Sequence, residues 1–243
     1  MPRMHILTAA ELKAFDTPPL LSHPQRETLF RVSERLASML ASLRSPTNQV
    51  GLLLAVGYFR ATKRFFASPF HPPDVVYVTQ QLGYTPEQID LEAYDHKASA
   101  SRHRRLTLDY LGFRPFNAQA RLEMAQEIRV MVRSQMRPKA IFMQLLTLLE
   151  TRKTEIPSAY ALTALITQES QQHKRELTET IDAHLSPTHR TLLDALLEKQ
   201  ESLWQPEPQV QRYKLTLLKR FSQSTKPAKI TGNLEDLERF PLA

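Results

Sequence analysis

The chain has no cysteine and only five glycines among its 243 residues. The lack of cysteine excludes disulfide bridges, thiolate nucleophiles and cysteine-ligated zinc. Scarce glycine, beside 17 prolines, favours helices separated by proline over a β-sheet. No run of about 18 apolar residues occurs, and the N-terminal segment MPRMHILTAAELKAF lacks the apolar core of a signal peptide. These absences predict an all-α protein of the cytoplasm that does not enter a membrane.

The excess positive charge is confined to one part of the chain. The formal net charge is +7, and residues 97–139 carry 10 Lys and Arg against Asp109, Glu123 and Glu127. The flanking segments 1–96 and 140–243 each carry as many basic as acidic residues. Because solvated helical faces usually mix both signs, this concentration favours a polyanionic partner. Nucleic acid is the expected partner, and an anionic membrane is the competing one.

Helix start and stop signals recur along the chain and predict its elements. Thr8 and Glu11 form a capping box that begins a short helix. The apolar spacing after Pro24 predicts one continuous helix through Leu43. A strongly apolar helix follows and reaches Phe66, and its expected cap is Thr47 or Asn48.

The helix start and stop signals also predict the domain organisation. We expect a first helical unit over residues 1–115 and a second over 116–200. Residues 201–243 are expected to form a basic linker or the start of a following domain. This last segment holds a basic strip from Arg212 to Lys229, which either touches DNA or only aids solubility. The end of the chain shows no closing element, as expected of a piece of a longer protein.

Two segments of the sequence show the order of helix, turn and helix that is typical of a helix-turn-helix unit. In the first, a helix over residues 74–82 ends at Gly83, and a short helix is predicted to follow through Leu91. In the second, a helix over residues 140–149 precedes one that begins at Ser158. Small and hydroxylated side chains near Ser158 and Tyr160 suit an approach to base edges in the major groove. Packing of Tyr160 is the alternative.

The first part of the basic segment reads KASASRHRRLTLDYL over residues 97–111. Cations at a helix N-terminus oppose the helix dipole, so their clustering favours phosphate binding over helix stabilisation. The candidate DNA-binding residues here are Lys97, Arg102, His103, Arg104 and Arg105. In the alternative, these cations pair with acidic groups around residues 87–95. His103 is either a DNA contact or a packed side chain, since a lone histidine without a carboxylate partner is a poor general base.

The second part of the basic segment predicts a helix from Ala118 to about Ser134, capped by Asn117. Its expected buried stripe consists of Leu122, Ala125, Ile128, Met131 and Val132. Basic residues at four-residue spacing lie along one side of such a helix and can follow a DNA backbone. The candidate DNA-binding residues of this part are Arg114, Arg129, Arg133, Arg137 and Lys139.

Several segments together resemble the N-terminal region of the Tn-three family of replicative transposases, across most of the chain. They are TNQVGLLLAVGYFRATKRFF (47–66), PPDVVYVTQQLGYTPEQI (72–89) and SRHRRLTLDYLGFRPF (101–116), followed by RPKA, IPSAYALTALI and LSPTHRTLLDALL between residues 137 and 197. The resemblance implies tandem helical units of helix-turn-helix type that bind the double-stranded terminal inverted repeats of a transposon. It also implies that a magnesium-binding acidic triad on a ribonuclease-H-like fold lies further downstream.

No residue of the chain itself is predicted to be catalytic. Phosphate loops, dinucleotide-binding fingerprints, HExxH metal sites and glycine-flanked serines are all missing from the sequence. We therefore expect no enzyme activity, metal or cofactor in this segment, and nucleoid association when DNA is bound. The alternative function is a helical partner-binding module of the transposition complex, with self-association in the full-length protein. An intact nuclease is a third and weaker alternative.

Overall fold

A computed structural model describes residues 4–67, 69–91, 98–201 and 211–213, and its fold is all-α, as the sequence predicts. The helices are α1 (Ala9–Asp16), α2 (His23–Leu29), α3 (Glu34–Ala41), α4 (Pro46–Thr62), α5 (Pro72–Gln81), α6 (Ala98–Leu111), α7 (Ala118–Arg133), α8 (Pro138–Thr151), α9 (Ala159–His184) and α10 (Pro187–Ala195). Two short strands, β1 (Lys199–Glu201) and β2 (Gln211–Tyr213), pair antiparallel with Lys199 opposite Tyr213.

The chain divides into two compact units, Met1–Lys174 and Arg175–Ala243. The first unit contains two hydrophobic clusters, one around α4 and one built from α7, α8 and the first part of α9. Helix α1 packs on the second cluster although it lies at the start of the chain, and Phe15 meets Phe142 edge to face. The domain boundaries expected at residues 115 and 200 stay predictions.

Helix α4 is the centre of the first cluster, and α2, α3, α5 and α6 pack around it. Its N-cap is Ser45, whose hydroxyl accepts a hydrogen bond from the Asn48 N–H, with Pro46 in the first turn. The expected caps, Thr47 and Asn48, were wrong, because they lie inside the first turn. The apolar sequence of α4 is buried on nearly every side, since neighbours cover it all round.

The predicted single helix from Pro24 to Leu43 is two helices in the structure. Helix α2 ends at Leu29, Phe30 is fully buried, and Ser33 caps α3 by accepting a hydrogen bond from the Leu36 N–H. The apolar spacing continues across this break, so periodicity alone did not indicate it. The Ser33 side chain was the local signal of a second helix start.

The first predicted helix-turn-helix is only half present. Helix α5 ends before Gly83, which takes the left-handed conformation (φ 76°) that glycine adopts at low cost. The next element is a single 3-10 turn, Pro86–Gln88, and not the predicted helix through Leu91. One such turn is too short to serve as a recognition helix.

The predicted face of α7 is also partly wrong. Asn117 caps the helix as expected, and Ala125, Ile128 and Met131 are buried. However, the Leu122 side chain is 60% exposed, and Met124 is buried in its place. The buried stripe of α7 is therefore rotated from the predicted one at its N-terminal end.

Candidate nucleic-acid interface

The arginines of α6 lie on the exposed side of the helix and meet in one groove. His103 and Thr107 are buried and hold the opposite side of α6 in the protein. Arg102, Arg104 and Arg105 line a groove of about 490 Å³, together with Ser101, Leu108, Asp109 and Pro115. The structure thus brings these three predicted DNA-binding residues together on one surface.

Arg104 is held by a carboxylate from the connection between α8 and α9. Its Nε and Nη2 atoms donate to the Glu155 oxygens at 2.9 and 2.8 Å, and the Phe116 N–H donates to Glu155 at 2.7 Å. The Glu155 side chain is 2% exposed, whereas the Arg104 side chain is 50% exposed. The alternative from the sequence was an acidic partner around residues 87–95, whereas the carboxylate that pairs with Arg104 within the described residues is Glu155.

The other two arginines of this groove differ from Arg104. Among the residues that the structure describes, no ion pair engages Arg102 or Arg105. Both side chains are exposed, and Asp109 is the carboxylate that lines the groove beside them. The groove therefore combines one arginine that is held by a carboxylate with two arginines that form no ion pair among the described residues.

Arg114 connects the loop after α6 to the same α8–α9 connection. Its Nε donates to the Thr154 hydroxyl at 2.8 Å, and its Nη2 donates to Glu123 at 2.5 Å. This hydrogen bond from Arg114 holds the pKa of Glu123 below its usual range. Backbone hydrogen bonds also join Arg114 to Lys153 and Glu155. Arg114, a predicted DNA contact, is thus engaged in several contacts within the protein.

The start of α9 lies beside Arg104. Ser158 and Arg104 line a cavity of about 320 Å³, together with Phe15, Asp16, Arg64, Phe65, Phe66, Ala67, Ile156 and Pro157. The Ser158 hydroxyl accepts a hydrogen bond from the Ala161 N–H at 3.3 Å. Tyr160 is 57% exposed, and its contact with base edges stays a prediction. The second predicted helix-turn-helix segment therefore presents its hydroxylated start next to the α6 groove.

The predicted arginine row is only partly present: Arg129 and Arg133 lie in the last turns of α7, but α7 ends at Arg133 and Arg137 is the N-cap of α8. Arg129, Arg133 and Arg137 are all exposed, and the Arg129 Nε donates to the buried Glu169 at 2.6 Å. Lys139 donates to Glu11 at 2.5 Å, and this contact, followed by the hydrogen bonds from Thr8, lowers the pKa of Glu11 to about 2. As on α6, some of the predicted cations are paired within the protein.

His103 and Lys97 are the two remaining candidates. His103 is buried, as the packing alternative predicted, although it lies between exposed arginines in sequence. Burial, with a further contribution from the charge of Arg102, lowers the pKa of His103 to about 4. Its imidazole is therefore neutral near pH 7 and does not line the α6 groove. Lys97 lies outside the described residues.

Sequence reasoning missed Arg64, Phe65 and Glu155. The Arg64 guanidinium lies 3.7 Å from the Phe15 ring centroid, and the Arg104 guanidinium lies 5.3 Å from that of Phe65. The basic and aromatic run KRFF was the only local signal for the first two. The sequence contains no local signal for Glu155, because its partner Arg104 lies far away along the chain.

Within the described ranges, no group of three or more His, Asp or Glu side chains is arranged to hold a metal ion. Over the same residues, every helix is too short or too polar to span a bilayer.

One comparison with known protein families gives a match. Residues 6–169 match the model of a domain of unknown function, DUF4158. A comparison with curated proteins gives no match. Since the family model covers well over half of the chain, the protein belongs to the DUF4158 family. The matched residues include both hydrophobic clusters, the α6 groove and the start of α9.

Proposed function

We propose that this DUF4158 protein binds the terminal inverted repeats of a transposon, as the non-catalytic N-terminal part of a replicative transposase. The observation that carries the proposal is the meeting of three α6 arginines in one groove, beside the exposed start of α9. The charge excess of residues 97–139 and the resemblance of the sequence to Tn-three transposases support the same function. The proposal assigns the chain to the bacterial cytoplasm, on DNA.

The two parts of this surface have different tasks in the proposal. Arg102 and Arg105 neutralise phosphates, which gives affinity for any duplex and makes that affinity depend on salt. Ser158 and Tyr160 at the start of α9 contact base edges, which gives discrimination between sequences. Arg129 and Arg133 at the end of α7 and Arg137 at the start of α8 extend the phosphate contacts.

The test compares two duplexes of equal length. The first is a duplex that the chain itself selects from a random library, and the second has a scrambled sequence. The proposal expects selective binding of the first duplex and no nicking when magnesium is present. Equal affinity for both duplexes would contradict sequence-specific recognition. Strand cleavage that survives repurification would contradict the non-catalytic role.

The salt dependence of binding tests the assignment of the groove. In Arg102→Gln and Arg105→Gln, we expect the slope of log affinity against log salt to flatten by about 0.9 for each lost contact. Arg44→Gln is the matched control, because Arg44 is also exposed but lines neither the groove nor the adjoining cavity. Unchanged slopes in both groove variants would remove the groove from the interface. Substitution of Tyr160 should instead reduce discrimination, by roughly 1–3 kcal/mol for one good contact.

The alternative function is a helical partner-binding module of a transposition complex. One observation favours it. Within the unit Arg175–Ala243, several large apolar side chains are exposed: Leu177, Ile181, Leu192, Leu193 and Leu197. Self-association that persists at high salt without affinity for any duplex would support the module and contradict the leading proposal.

A further inference from the structure

We propose that Glu155 is a positioning residue for DNA recognition, which holds the Arg104 guanidinium so that its free edge binds one phosphate of the duplex. This inference rests on the proposed function. It assigns a role in recognition to a carboxylate that does not itself touch DNA.

The pair has the geometry of a fixed cation. Glu155 is almost fully buried and accepts hydrogen bonds from two nitrogens of Arg104 and from the Phe116 N–H. A buried carboxylate is costly unless such partners satisfy it, so the contact restricts Arg104 to one orientation. The pair uses Nε and one N–H of Nη2. The N–H groups of Nη1 and the second N–H of Nη2 remain available to a phosphate.

The position of Arg104 explains why its orientation matters. Arg104 lines both the groove that holds Arg102 and Arg105 and the cavity that holds Ser158. A phosphate bound to Arg104 would therefore lie between the exposed cations and the start of α9. Because phosphate contacts fix the register of a protein on DNA, this contact sets where α9 meets the bases.

Arg104 differs from Arg102 and Arg105 in that a carboxylate neutralises its charge. Glu155 neutralises the charge of Arg104, whereas Arg102 and Arg105 pair with no carboxylate in the described part of the chain. Arg104 thus contributes less to general attraction and more to geometry. Its loss should lower discrimination, while loss of Arg102 should flatten the salt slope.

Two variants test the inference on the selected and the scrambled duplex. Glu155→Gln removes the charge that fixes Arg104 but keeps the shape of the side chain. Arg104→Lys keeps the positive charge but loses the planar fork that binds a carboxylate and a phosphate together. We expect both variants to reduce the ratio of the two affinities by about tenfold, the size of one good contact, without flattening the salt slope.

Asp74→Asn is the matched control for a purely structural effect. Asp74 is also a buried carboxylate that accepts hydrogen bonds from an arginine and one further donor, but it lines neither the groove nor the cavity. A purely structural Glu155 predicts lower thermal stability in Asp74→Asn and Glu155→Gln alike, with wild-type discrimination in the folded protein.

Wild-type discrimination in folded Glu155→Gln or in Arg104→Lys would overturn this inference but would leave the proposed function standing. If Glu155→Gln does not fold, Arg104→Lys decides, because it leaves a cation beside the buried carboxylate. A wild-type chain that selects no duplex would overturn the proposed function, and the inference with it.

Discussion

The two halves of the first unit hold their buried carboxylates in different ways. Beside the first cluster, the fully buried Asp74 accepts hydrogen bonds from Arg26 Nε at 2.5 Å and from the Tyr58 hydroxyl at 2.7 Å, and Arg26 is itself largely covered. Beside the second cluster, Glu155 and Glu169 are held by arginines that are half exposed. The first network is closed within the protein. The second presents its guanidinium groups at the surface, where they can also bind a ligand.

The largest effect should come from leaving a buried carboxylate without its arginine. In Arg26→Gln, we expect the free energy of unfolding to fall by about 3–5 kcal/mol, because Asp74 has no access to water. In Arg104→Gln, we expect a smaller loss of about 2 kcal/mol, because the buried Glu155 loses a partner but keeps the Phe116 N–H, and the half-exposed Arg104 is screened by solvent. Urea unfolding measures both values, with Arg44→Gln as the exposed control. Equal losses in the two variants would show that the networks do not differ.

The pH dependence of stability tests the burial of His103 beside the surface arginines. Its pKa is about 4 in the folded protein and 6.5 for an unperturbed histidine side chain, so the unfolded chain binds the proton more readily. The stabilisation is complete above pH 6.5 and is lost as the pH falls toward 4, by roughly 3 kcal/mol in total. Urea unfolding of wild type and His103→Gln at several pH values measures the difference between their profiles. Parallel profiles for the two proteins would contradict the lowered pKa.

The packing of the first cluster predicts a smaller loss in Gly57→Ala. A Cβ at Gly57 would overlap the ring of Phe30, which is fully buried. We expect a net loss of about 1–3 kcal/mol, because overpacking exceeds the gain in helix propensity from alanine. The double variant with Phe30→Leu should lose less than the sum of the two single losses. Additive losses would show that the ring is not the obstacle.

The smallest effect is expected in the second part of α9. Leu177→Gln should change the free energy of unfolding by less than about 0.5 kcal/mol, because the Leu177 side chain is 50% exposed. Leu165→Gln is the control and should be severely destabilising, since Leu165 is buried in the second cluster. A large loss in Leu177→Gln would indicate that a second copy or another partner covers this face.

The sequence predicted elements well where the signal is local. The cap at Asn117, the capping box at Thr8 and the helix end at Gly83 are all confirmed, because each depends on residues within one helical turn. The break before Ser33 and the exposure of Leu122 were missed. Both depend on what packs against the helix, and the spacing of apolar residues does not contain that information.

For the site, the sequence predicted which residues are basic and, for most, that they reach the surface. It did not predict that Glu155 holds Arg104, since the two residues are 51 positions apart and meet only through the packing of α6 against the α8–α9 connection. The partner was sought among nearby acidic residues, although the fold supplied a distant one. The burial of His103 between exposed arginines follows from the helical period, which turns successive residues to different sides.

The connection between α8 and α9 has a consequence for amide hydrogen exchange. Its backbone is paired with two other loops: the Arg114 N–H donates to the Lys153 carbonyl, the Glu155 N–H donates to the Arg114 carbonyl, and the Ile156 N–H donates to the Lys63 carbonyl. Loop amides usually exchange quickly with deuterium, but these three require the separation of distant parts of the chain before they open. Their exchange should therefore be as slow as that of the amides in the core helices. A protease should cut this connection only after the surrounding structure has unfolded.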